Sequence, residues 1–85
     1  MDIEDFSTFE FNETAKGSVR LSVSEFRNKK SIDLRNWFVN DKGDLCPTQK
    51  GAQVPLTELD ALIESLKTIR GELVEAGELS EAGKL

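Results

Sequence analysis

Val19-Arg20-Leu21-Ser22-Val23-Ser24, followed by Ile32-Asp33-Leu34-Arg35, decides how this chain folds. In both runs apolar residues take alternate positions, the period of a strand with one buried and one wet face. Arg27-Asn28-Lys29-Lys30 between them reads as a polar loop. The second strand continues through Trp37, Phe38 and Val39. It stops at Asn40-Asp41-Lys42-Gly43-Asp44, a strong turn signal with a glycine available for positive φ. Upstream, Phe9 and Phe11 alternate with Glu10 and Asn12 before the turn-like segment Glu13 to Gly17. Downstream, Leu45 to Val54 is a weaker fourth strand, and its breakers Pro47 and Gly51 suit an edge or a bulge.

From Thr57 to Val74 the period becomes helical. Leu59, Leu62, Ile63, Leu66, Ile69 and Leu73 keep 3–4 spacing, and Thr57 to Asp60 resembles an N-terminal capping box. The stripe reads chiefly as core packing on the sheet, and it also approximates a heptad seam whose outer part meets a partner helix. The expected fold class is α+β: a four-stranded antiparallel sheet, then one C-terminal amphipathic helix on one face. The other face is left to solvent or a ligand. A chain of 85 residues has a thin core, so a homodimer through the six helix residues just named is expected. Residues 7–74 make the domain, and residues 1–6 are an N-terminal extension. Residues 75–85, rich in Gly and Glu, read as an acidic flexible tail or as a bait for partner proteins.

The formal net charge is −5, yet eight cations face only four acids between positions 16 and 50. Phe26, Trp37 and Phe38 fall in that window. Cations neutralise phosphates and aromatic faces stack on unpaired bases, so the combination points to single-stranded nucleic acid.

The catalytic inventory is thin. Histidine is absent, Cys46 stands alone, and no Gly-rich phosphate loop occurs. Asp41-Lys42-Gly43-Asp44 reads as a β-turn, since it lacks the spacing and closing Glu of a calcium loop. The expectation is no enzyme, no cofactor, no metal and no small-molecule substrate. No apolar run approaches the ~20 residues that cross a bilayer, so no membrane is expected. The acidic N-terminus is unlike a secretory signal, which favours an intracellular, cytoplasmic or nucleoid-associated protein, or the host cytoplasm if viral.

Leu21 to Arg27, Ile32 to Phe38, then Pro47 with Lys50-Gly51 and an amphipathic helix, together resemble the positive cofactor four family. These are transcriptional-coactivator single-stranded-DNA-binding domains, and the resemblance covers roughly Gly17 to Ile69. It implies a curved four-stranded sheet, a dimerising helix, and a groove for extended single strands. By position, Phe26 and Phe38 match the stacking aromatics, with Trp37 beside them. Arg35 and Lys50 match cations that meet the backbone, and Arg27 and Lys29 border the groove. Ser24 and Gln49 stand where the family often has cations, which implies weaker phosphate contact.

The implied role is sequence-independent single-stranded DNA binding in transcription, or in replication, recombination or repair. A coactivator module recruiting transcription or replication proteins, and an RNA-binding protein, remain alternatives. So do plainer roles for single residues. Phe26 and Phe38 read also as core aromatics, Trp37 as core or dimer interface, Arg35 as an ion-pair partner of Asp33. In an ideal strand Arg35 and Phe38 point to opposite faces, so a twist or a bulge must reconcile them, or one assignment fails.

Overall fold

The computed structural model describes residues 2–80. A 3-10 turn, Ile3–Asp5, precedes four strands: β1 Phe9–Thr14, β2 Gly17–Phe26, β3 Lys29–Val39 and β4 Leu45–Pro55. A second 3-10 turn, Leu56–Glu58, leads into helix α1, Leu59–Glu75. The strands form one open sheet in the order β1-β2-β3-β4, every neighbouring pair antiparallel.

The hairpins follow from local chemistry. Phe26 pairs with Lys29 across β2 and β3, so only Arg27 (φ 52°) and Asn28 (φ 65°) form the tip. Two successive positive φ values make the kind of two-residue turn whose twist matches that of the strands. Lys29 and Lys30 therefore belong to the ladder and not to a polar loop, and Lys30 pairs with Glu25 at 3.3 Å. The β3–β4 turn is as expected. The Asn40 side-chain oxygen accepts the Lys42 and Asp44 N–H groups at 2.9 Å each, and Gly43 takes φ 84°. On β1 the register shifts between Phe11 and Thr14, with Asn12 at φ 52°.

β4 is the weak edge strand that Pro47 and Gly51 foretold. Its register shifts opposite Arg35–Trp37, which leaves residues 48–50 bulged. A Cβ on Gly51 would lie 2.6 Å from the Leu34 carbonyl oxygen and 2.8 Å from Arg35 Cα. Only glycine lets β4 approach β3 this closely.

The ladder sorts the side chains. Leu21 faces Leu34, and Val23 and Val54 flank Ile32, making one face apolar. Ser18, Arg20, Ser22 and Ser24 sit opposite Trp37, Arg35, Asp33 and Ser31, making the other face polar.

The helix departs from expectation in two ways. No side chain caps its N-terminus at Glu58, because residues 56–58 are spent in the 3-10 turn after Pro55; the capping box at Thr57 does not form. More consequentially, core packing on the sheet stays incomplete. Leu59, Leu62, Ile63 and Leu66 lean toward the apolar face but leave an open hollow of about 600 Å³ against Leu21, Leu34 and Val54. Among the described residues no hydrophobic side chain is buried, and Leu66 and Ile69 are 57% and 51% exposed. The radius of gyration is 15.3 Å, against roughly 12 Å for a compact chain of this length. One helix does not supply enough surface to close this sheet.

The helix ends with the N–H of Gly77 on the Val74 carbonyl (3.1 Å) and that of Glu78 on the Leu73 carbonyl (2.9 Å). The first residues of the expected tail thus close the helix, and residues 81–85 lie outside the described residues.

Candidate nucleic-acid interface

The polar face is organised around a buried acid. Asp33, only 6% exposed, accepts Arg35 Nη2 at 2.9 Å and Arg35 Nε at 3.2 Å on each oxygen. Burying a carboxylate is costly unless it is paired and hydrogen-bonded, and this fork supplies both. Donating to the Asp33 carboxylate holds the Arg35 guanidinium above its ordinary pKa, against a lowering from burial. Arg35 Nη1 also donates to the Thr48 carbonyl at 2.9 Å. Of the five N–H groups on a guanidinium, this leaves Nη hydrogens to offer a ligand.

Thr48 shapes the bulge of β4. Its hydroxyl donates to the Asn36 carbonyl (2.8 Å) and accepts the Lys50 N–H (3.1 Å). Arg35 and Lys50 both line one shallow hollow of about 360 Å³ at this edge, together with Gly51 and with Val19, Leu34 and Asn36 from the apolar side of the sheet.

One strand over, Arg20 faces Arg35 directly across β2 and β3. Its Cζ lies 4.3 Å from the centroid of Trp37, and its Nη2 is 2.6 Å from Glu10 Oε1. Ser18 Oγ, Arg20 Nε and Trp37 Nε1 are buried in this patch with no hydrogen-bond partner among the described residues. Arg20 was not among the site residues read from the sequence; the signal that reveals it is its place on the wet side of the β2 alternation.

At the hairpin tip Phe26 is 70% exposed, with the Arg27 guanidinium 5.1 Å from its ring. Phe26, Lys29, Ser31 and Gln53 border a second hollow of about 320 Å³. Between them Ser24 and Ser31 share a hydrogen bond at 3.1 Å. From the Phe26–Lys29 pair to Arg35 is six residues of β3, about 20 Å at roughly 3.3 Å per residue. Phe26, Lys29, Arg35 and Trp37 thus share the polar side, with Arg27 at the hairpin tip, while Lys50 lies in the β4 bulge at the edge of the sheet.

Phe38 does not join them. β3 keeps regular register with β2 to its end, pairing Phe38 with Gly17 and with Cys46. The irregularity lies in β4, so alternation leaves Phe38 on the apolar side, 44% exposed. Among the described residues no group of three or more acids, cysteines or histidines is placed to hold a metal ion. No described helix is long and apolar enough to cross a membrane.

The profile of the family described as Transcriptional Coactivator p15 (PC4) matches residues 13–65. A PC4 homolog from Burkholderia pseudomallei, in its tetragonal crystal form, is similar with TM-score 0.64 and 25% identity. That match covers 74% of this chain and 94% of the other. The bacteriophage T5 homolog of the eukaryotic coactivator PC4, implicated in recombination-dependent DNA replication, is similar with TM-score 0.65 and 25% identity. It covers 84% of this chain and 80% of the other. No curated protein sequence matches.

Proposed function

This chain belongs to the Transcriptional Coactivator p15 (PC4) family, and from that membership we propose a homodimeric, non-catalytic protein that binds single-stranded DNA with little sequence preference. The observation that carries the reading is the polar face itself. An exposed aromatic at one end, Phe26, lies on the same side as Arg35 about 20 Å along the sheet. Bases stack on Phe26 while Arg27, Lys29, Arg35 and Lys50 hold the backbone. Each stacked base contributes roughly 1–3 kcal/mol. Four neutralised phosphates give a slope of log K against log[salt] near ~−3, from about −0.7 each.

The open apolar hollow and the exposed Leu66, Ile69 and Leu73 support a dimer through α1. A second copy supplies the surface that one chain lacks. Phe38, on the opposite side of the sheet, is not part of this groove. The role of the bacteriophage T5 homolog favours replication and recombination alongside transcription as the process served. An intracellular location accords with such a ligand.

Native mass spectrometry with an oligothymidylate of ~20 nucleotides tests the reading. Two copies of the chain on one strand are expected; one copy per strand contradicts the dimer, and no complex contradicts the function.

A further inference from the structure

We infer that Arg20 is an additional phosphate contact of this face, held in place by Trp37 and competed for by the carboxylate of Glu10. The inference rests on the single-strand reading above and adds a residue and a control element to it.

Arg20 has the right place and chemistry. It lies directly across the ladder from Arg35, on the polar face. Glu10 Oε1 sits 2.6 Å from its Nη2, where a phosphate oxygen would bind by the same charge-assisted hydrogen bond. The pair is partly open to solvent, with side-chain exposures of 24% for Arg20 and 30% for Glu10, so a ligand can reach it. Ion pairs of this kind are weak and salt-screened. A nucleic-acid phosphate brings counterion release that a carboxylate does not.

The strand that carries Glu10 is also the one most able to yield. β1 is an edge strand with every residue exposed, paired only with β2, and its register breaks just after Phe11. Trp37 has the opposite effect. Its ring lies against the guanidinium at 4.3 Å, so Arg20 keeps its position when Glu10 lets go. The ring face under Arg20 is closed to a base, which makes Trp37 a positioning residue. Its indole N–H and Arg20 Nε, both buried with no partner among the described residues, are the groups that would gain from a rearrangement here.

Anisotropy of a labelled ~20-nucleotide oligothymidylate, measured with full-length variants at several salt concentrations, tests this. Glu10→Gln is expected to bind about threefold to fivefold tighter than wild type, the worth of one exposed ion pair. Its salt slope is expected to steepen by roughly 0.7. Glu13→Gln makes the same charge change three residues along β1 and is expected to change affinity less than twofold (about 0.4 kcal/mol). In an Arg20→Gln background, Glu10→Gln is expected to lose its effect. Trp37, the only tryptophan, reports separately: its emission is expected to shift on binding in wild type and Glu10→Gln.

The contact is overturned if Glu10→Gln matches wild type or Glu13→Gln, or if its gain persists without Arg20. Failure of wild type and Glu10→Gln alike to bind any single strand overturns the function, and this contact with it.

Discussion

Arg35 forks onto the buried carboxylate of Asp33, with Nη2 2.9 Å from Oδ1 and Nε 3.2 Å from both oxygens. The same guanidinium reaches the Thr48 carbonyl at 2.9 Å, tying β3 to the bulge of β4. One arginine thus both stabilises the sheet and borders the proposed groove. Asp33→Ala is expected to cost about 1.5–3 kcal/mol of stability, the range for hydrogen bonds to charged groups. Arg35→Lys keeps the charge but not the fork, and is expected to lower stability in the same direction. Thermal or denaturant unfolding of both variants checks this.

Phe26→Ala separates stacking from charge. The ring is 70% exposed, so the fold is expected to keep its melting temperature. Single-strand affinity is expected to fall by about 1–3 kcal/mol with the salt slope unchanged. An equal loss of thermal stability would mark Phe26 as a structural residue.

Lys50→Ala is expected to do the reverse, flattening the salt slope by roughly 0.7 while leaving base stacking intact. Thr48→Val removes the hydroxyl that bonds the Asn36 carbonyl and the Lys50 N–H. It is expected to weaken binding in the same direction through the bulge, and the two variants together to be less than additive.

Gly51→Ala tests the close approach of β4 to β3. A Cβ there meets backbone at 2.6 and 2.8 Å, which only a shift of the strand relieves. A loss of about 1–3 kcal/mol is expected on unfolding.

Leu66→Glu and Ile69→Glu place charge on a stripe that a single chain leaves exposed. If α1 joins two copies, sedimentation is expected to move from dimer to monomer, and the melting temperature of wild type to rise with protein concentration. A variant that sediments like wild type would put the dimer elsewhere.

Much of this was legible in the sequence. The alternations at Val19–Val23 and Ile32–Leu34 carry β2 and β3, and the breakers Pro47 and Gly51 mark β4 as an edge with a bulge. The β2–β3 tip was not legible, because Arg27 takes positive φ that no arginine advertises. Nor was the helix start, where Pro55 and a 3-10 turn displace the capping box. Arg20 escaped notice because its partners, Glu10 and Trp37, are 10 and 17 residues away and meet it only through the ladder. The tension between Arg35 and Phe38 was visible from strand period alone, and the bulge near it falls on β4, not on β3.

The most direct measurement compares a labelled ~20-nucleotide single strand with its duplex by fluorescence anisotropy at several salt concentrations. Tighter binding of the single strand, with a slope near ~−3, is expected from stacking on Phe26 and about four phosphate contacts. Equal or tighter binding of the duplex, or no binding at low salt, would contradict it.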